Sequence, residues 1–406
     1  MWQVSKVVVA FIVLIGPTDP AQAAEVARTT NAALRYWMAF AAMQNPPADA
    51  PTANLLEQVA SGAAPWDEAR LGSILRQNKE AIETMQRATR LPDCDWGLED
   101  DLGPEQPIRY LGKGRALARL NVLYGERLAA GGEVDKAADA WLAGLRFSRD
   151  LSRDGPLISA LVGAASLSVH LDALLRFVGE GKASDTLLAR ISDAVGRVPE
   201  YGVDWSRTLA QEERGTALWL DRLVAAPLPE VYASLHIMLG SGEPSEAGAI
   251  QKVFAPKLLL KPSEGSDEVK LHAAIRRMRD ETRMALRRVR DAYALPYTRS
   301  VPAITQLEAE AATLLPATRD LLFSFDRPNH VRAELETRRV ALLGVIALER
   351  RRLQGGPPPT SLDGLGIPDD PFSGRQLQVA TTPTGIEVRS TGQDAKGKAL
   401  VFRLAR

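Results

Sequence analysis

Ala341-Leu342-Leu343-Gly344-Val345-Ile346-Ala347-Leu348, followed shortly by Gly355-Gly356-Pro357-Pro358-Pro359, is the stretch whose reading decides the fold. Its first part belongs to a long helix from Val331 with a broad apolar face. Its second part cannot continue that helix, because proline fixes φ, lacks an N–H and pushes the preceding residue out of the α region. The pattern then changes. Asp370-Pro371-Phe372-Ser373-Gly374 is a turn sequence, and Ile386-Glu387-Val388-Arg389-Ser390 and Ala399-Leu400-Val401-Phe402-Arg403-Leu404 alternate as half-buried strands do. The expected fold is mainly α: an array of antiparallel helical hairpins, α-solenoid-like, over 24–354, with a small antiparallel β-element over 355–406.

At 406 residues, of which 45% are hydrophobic, the chain can bury a substantial core. Fifty basic residues balance fifty acidic ones, so no global field recruits nucleic acid or an anionic surface. The first residues carry Lys6, an apolar run from Val7 to Ile15, a Gly16-Pro17 break and Ala21-Gln22-Ala23 ahead of Ala24-Glu25. This is the pattern of a secretory signal peptide, residues 1–23, cleaved after Ala23. The run is shorter than the roughly 20 residues that span a bilayer. The mature protein is therefore expected to be periplasmic or secreted, with no transmembrane span after cleavage. Cys94 is the single cysteine, so no disulfide within the chain can staple the fold.

Working back from the last quarter, the first mature helix is expected over Arg28 to Met43, ended by Asn45-Pro46-Pro47. A short helix over Ala53 to Ala60 and one longer helix from Pro65-Trp66-Asp67-Glu68 to Leu91-Pro92 follow. Residues Leu157 to Val178 are apolar nearly all round, which fits either a membrane span or the central helix of a larger protein. Ser159, Ser166, Ser168, His170 and Asp172 decide for the central helix, since ionisable groups in lipid are costly. Further helices are expected near 185–198, 204–224 and 230–239, then a loop at 240–248 and a long helix from a Gly265-Ser266-Asp267-Glu268 cap to Ala294. Ser300 to Phe325 reads as helix interrupted at Pro316, and Asp326-Arg327-Pro328-Asn329 turns the chain into the last long helix.

Candidate chemistry is sparse. His170, His236, His272 and His330 lie far apart and form no paired-ligand spacing, and His170 reads as a satisfied core residue. Neither a nucleophile elbow nor a phosphate-binding or dinucleotide glycine motif is present. Cys94 sits between aspartates, which disfavour its thiolate. The acidic loop of Asp93, Asp95, Glu99, Asp100 and Asp101 offers oxygens to calcium, but Gly97 stands at a position that needs a side-chain ligand. A loop facing water and capping the next helix is the expectation there, with Asp93 and Asp95 as the metal candidates. The arginines at 276, 277, 279, 283, 287, 288 and 290 could face an anionic lipid or an acidic partner. Glu281, Asp280 and Asp291, each four residues from Arg277, Arg276 and Arg287, point instead to a self-paired surface.

Two local resemblances add to this reading. Gly125, Leu128, Gly132, Ala137, Trp141 and Leu145 are spaced as in a tetratricopeptide repeat, with Gly132 and Ala137 admitting close helices and Trp141 filling the space between them. No second copy follows, so the segment reads as a single hairpin. Gly356-Pro357-Pro358-Pro359, Leu362-Asp363-Gly364-Leu365, Asp370-Pro371-Phe372-Ser373-Gly374 and Ser390-Thr391-Gly392-Gln393-Asp394 resemble, in order, the later part of the major pseudopilins of type II secretion. In that family the last loop can hold calcium, and Asp394 is the carboxylate that carries over. Ala395, Lys396 and Lys398 supply little further charge for an ion. A pseudopilin keeps its apolar assembly helix at the mature N-terminus, whereas some 300 residues precede the matching region here, so the resemblance does not imply polymerisation. The arrangement also resembles exported helical proteins of environmental bacteria that combine a Cys-x-Trp loop, helical hairpins and this tail, which implies architecture and no activity.

The functional expectation is an exported binding or scaffold protein with a protein partner in the cell envelope, no catalytic residues and no cofactor. A hydrolase or lyase is the alternative, with Glu212, Glu213 and Asp204 beside Trp205 and Trp219 as its paired acids and aromatics. A subunit attached to a secretion machine through its tail is another.

Overall fold

The computed structural model describes residues 29–45, 49–238, 255–261, 267–322, 324–356 and 360–405. The expected signal peptide and its cleavage site, Pro46-Pro47, the loop 240–248, Gly265-Ser266, the three prolines at 357–359 and the His236 side chain lie outside them. The chain is mainly helical and ends in a small three-stranded antiparallel sheet.

Helices α1 (Ala32–Ala42), α2 (Ala50–Ala60) and α3 (Glu68–Gln77) begin at Asn31, Asp49 and Asp67, whose side chains accept first-turn N–H groups. The single helix expected from Pro65 to Leu91 is instead two, α3 and α4 (Lys79–Ala88), with a break at Asn78. That buried side chain is committed to backbone. It donates to the Ile74 carbonyl at 2.9 Å and accepts from the Gln44 N–H at 2.9 Å, locking the chain in a non-helical turn.

Helices α5 (Tyr110–Ala130) and α6 (Val134–Ser152) form the expected hairpin, but the close approach is made elsewhere. A Cβ on Gly125 would lie 2.2 Å from the Trp141 indole nitrogen, which donates to the Val122 carbonyl at 3.2 Å. Gly132 serves the turn, with φ +79 and open space where a Cβ would stand. Helix α7 (Leu157–Gly179) packs on both. It is the one helix among the described residues long and apolar enough to cross a membrane, and 61% of its most apolar window is buried inside the protein.

Helices α8 (Asp185–Gly196), α9 (Trp205–Ala225), α10 (Leu228–Met238), α11 (Glu268–Tyr293), α12 (Tyr297–Ala311), α13 (Pro316–Leu321) and α14 (Asp326–Leu353) complete the body. Pro316 opens α13 at its first position, where its missing N–H costs nothing. Helix α14 returns across the molecule to α7 and α8, and Arg338 reaches Asp172 at 3.0 Å while Arg350 reaches Asp185 at 2.8 Å. Its end is set before the prolines, by Gly355 at φ +76, whose N–H donates to the Arg352 carbonyl.

Strands β1 (Gln378–Thr382), β2 (Gly385–Gln393) and β3 (Ala399–Ala405) pair in that order, with Val379 opposite Val388 and Val388 opposite Phe402. β1 lacks the apolar alternation of the other two and was not expected. Leu362, Leu377, Val388 and Leu404 share one continuous core with the helices from α1 to α14, and a second cluster joins α9, α10, α11 and α13 around Trp219 and Met278.

Candidate functional site

β3 is an outer strand that bonds to β2 alone among the described residues. Beside it lies a cleft of about 940 Å³ whose opposite wall is built from α2, α5 and α7. Gly179, at the end of α7, lets the Arg403 carbonyl come against the helix; a Cβ there would stand 2.3 Å from that oxygen. The sheet edge is thus closed at Arg403, and the cleft opens alongside it. Val122, Val169, Leu175 and Phe402 give it an apolar lining.

Charged groups around the cleft hold one another. Arg176 binds Glu126 at 2.6 Å, Arg338 binds Asp172 at 3.0 Å and Glu334 at 2.8 Å, Arg403 binds Glu387 at 2.9 Å, and Arg119 pairs with Glu57. Burial pushes the Glu126 carboxyl up, and Arg176 counters only part of that shift. Burial works against the Arg338 cation, but Asp172 and Glu334 outweigh it and raise its pKa. Arg115 has no ion-pair partner among the described residues, and the buried Ser166 hydroxyl, on a residue lining the cleft, has no hydrogen-bond partner. Neither histidine nor cysteine is among the described residues that line the cleft.

The acidic loop is stitched to the start of the chain. Asp93 exchanges backbone bonds with Thr30 and Ala32, and Asn31 donates to the Asp95 carbonyl and accepts its N–H, both at 2.9 Å. The Asp95 carboxylate receives the Gly97 N–H at 2.9 Å in a turn that needs Gly97 at φ +64. Cys94 is buried; burial raises its thiol pKa first, with Asp150 and Asp95 adding to the effect. Trp96 stacks on Tyr110 at 4.1 Å and donates to the Asp150 carbonyl at 2.7 Å. Tyr36 donates to the Asp150 carboxylate at 2.6 Å, opposing the burial that pushes this carboxyl up. The Cys-x-Trp loop is thereby a plug between α1, α5 and α6.

His170 is fully buried. Its Nδ1–H donates to the Ser166 carbonyl at 2.7 Å, and Nε2 accepts from Asn121 Nδ2 at 3.2 Å, an arrangement that fixes the neutral tautomer. Burial lowers its pKa to about 4. The ring lies against Gly144, where a Cβ would stand 2.0 Å from Nε2.

Asp394 accepts the backbone N–H groups of Lys396 and Lys398 at 2.9 and 2.8 Å. Burial would raise its pKa, but these bonds outweigh it and hold the carboxyl below its usual range. Among the described residues no three His, Cys, Asp or Glu side chains gather as a metal site would.

The paired acids of the hydrolase alternative diverge. Glu213 turns to α11, where it holds Arg287 at 2.6 Å and Arg290 at 3.1 Å, and Asp204 caps α9 through the Arg207 N–H. Trp205 and Trp219 donate to the Tyr201 carbonyl and to Glu105. Glu212 turns the opposite way, to the Leu157 N–H at 2.8 Å. Adjacent helical residues point about 100° apart, which the Glu212-Glu213 pair already implied. Of the three expected pairs four residues apart on α11, Arg277–Glu281 is the one seen among the described residues; Arg279 pairs with its neighbour Asp280 and with Asp221, and Arg287, Arg288 and Arg290 reach Glu213, Glu310 and Glu213.

One site escaped the sequence reading. Asp370 is buried and accepts the hydroxyls of Thr337, Ser373 and Ser390 at 3.3, 3.1 and 2.9 Å, tying the Asp-Pro-Phe-Ser-Gly turn to α14 and β2. Aspartate opening a turn with serine three residues later was the available signal. Compared with known protein families, curated proteins and solved structures, the chain matches none.

Proposed function

We propose that the protein is a non-catalytic binding or scaffold component of a bacterial cell envelope, and that the cleft beside β3 receives an extended segment of a protein partner. The observation that carries this reading is the cleft itself, about 940 Å³ in volume and bordered by an outer strand. Outer strands and apolar-lined grooves are recurrent sites for extended peptides. The surrounding ion pairs favour binding over catalysis, because groups held by partners are not free to exchange protons with a substrate. The envelope location rests on the expected signal peptide.

A photo-crosslinking side chain at Arg115, on the cleft wall, tests the proposal in envelope extract. The expected result is a discrete crosslinked partner that disappears when Val169→Trp fills the cleft in a protein that keeps its helical circular dichroism. An identical crosslinking pattern from the filled protein, or no discrete product from the open one, would refute the reading.

A further inference from the structure

A second cavity, of about 560 Å³, lies at the N-terminus of α7, between the 3-10 turn Asp100–Glu105, α9 and the start of α14. Leu98, Pro104, Ile108, Leu157, Leu161 and Pro328 make its wall largely apolar. Ile158, 46% exposed, adds an apolar side chain at the lining. The turn seats tightly on α9: a Cβ on Gly103, at φ +49, would meet the Trp219 Cβ at 2.6 Å. The space is therefore bounded by packed backbone.

Glu212 lines this cavity. One oxygen, Oε2, takes the Leu157 N–H, and Oε1 has no hydrogen bond among the described residues and is not sealed from the cavity. Burial raises the carboxyl's pKa, opposed only by the Leu157 bond. The other acidic lining residues are Glu99, Asp100, Asp154 and Asp320, against the single cation Arg327. Asp100, Asp154 and Asp320 are held by Arg214, Arg207 and Lys257. Among the described residues neither Glu212, which is half-buried, nor Glu99, which is exposed, has a cation within ion-pair distance. An apolar cavity with one half-buried carboxyl left without a cation is a small-molecule site in form.

We propose that this cavity binds a hydrophobic amine, with the apolar body against Leu157 and Leu161 and the ammonium group on Glu212. The bound ammonium would pair with the Glu212 carboxylate and offset the cost that burial imposes on its charge. A ligand anion would meet the carboxylates of the wall, which excludes acids of the same skeleton.

The test is calorimetry on the full chain with 4-butylbenzylamine, 4-butylbenzyl alcohol and 4-butylbenzoate. The amine is expected to bind at least about tenfold more tightly than the alcohol, with the benzoate weakest. Glu212→Gln, which keeps an acceptor for the Leu157 N–H, should erase the preference for amine over alcohol while alcohol binding persists. Leu161→Trp, which fills the cavity, should abolish both. Equal binding of amine and alcohol, a preference retained in Glu212→Gln, binding that survives Leu161→Trp in a folded protein, or no binding by any of the three would each overturn the proposal.

Discussion

Acidification should weaken the fold through His170, by an amount the structure fixes. In the unfolded chain an imidazole titrates at its ordinary value of 6.5; buried beside Asn121 and Ser166 it titrates at about 4. The unfolded state therefore takes up the proton first. The contribution of the neutral ring is complete above pH 6.5 and is lost as the pH falls toward 4. For one group with these two values, linkage gives a loss of about 2 kcal/mol at pH 5 relative to neutral pH, and the loss deepens below that. Urea unfolding of the wild type and of His170→Gln from pH 7.5 to pH 4.5 isolates this contribution, because other titrating groups are common to both proteins. The variant is expected to be less stable at neutral pH, since glutamine cannot reproduce both ring bonds against Gly144, and the gap should narrow by about 2 kcal/mol at pH 5. A gap constant with pH would refute the claim that His170 is held neutral.

Asp370→Ala should lower the unfolding free energy by about 2 kcal/mol in urea melts, because it removes the acceptor of the Ser390 hydroxyl and the tie from the turn to Thr337 and Ser373, which keep the Ala333 and Arg375 carbonyls; Asp370→Asn should recover part of the loss. Gly125→Ala should cost about 2 kcal/mol and shift tryptophan emission, since Trp141 must leave its place against Val122. Cys94 should react with a thiol reagent on the order of a hundredfold more slowly in the native protein than in denaturant, as burial suppresses both access and thiolate. Expressed with its first residues in a Gram-negative host, the exported protein should begin Ala24-Glu25-Val26 on N-terminal sequencing.

The helical body and the two later strands were legible because their patterns are local. Apolar density, proline and glycine mark helices, and alternation marks β2 and β3. What escaped depends on distant partners. The break at Asn78 needs the Gln44 N–H, 34 residues away, and β1 exists because β2 offers it an edge. Candidate chemistry followed the same division. Adjacent acids such as Glu212 and Glu213 look paired in the sequence, yet they bind α7 and α11 on different sides. Asp93 and Asp95 look like cation ligands, yet their backbone is clasped by Thr30 and Ala32 and by the Asn31 side chain. The cleft beside β3 has no sequence signature, because residues from α2 to β3 contribute to it.

The return of α14 onto α7 carries a kinetic consequence. Arg338 meets Asp172 and Arg350 meets Asp185 across 166 and 165 residues, so the central helix is covered by a segment synthesised long after it. A polypeptide emerging from its N-terminus holds α7 with one flank bare until Leu353 is delivered, so docking of α14 is the step that completes the main core. Contacts of such high sequence separation slow folding and prolong the exposure of apolar surface. Truncation before α14 should therefore yield an aggregating chain, and a circular permutation that joins α14 directly to α7 should refold faster than the natural order.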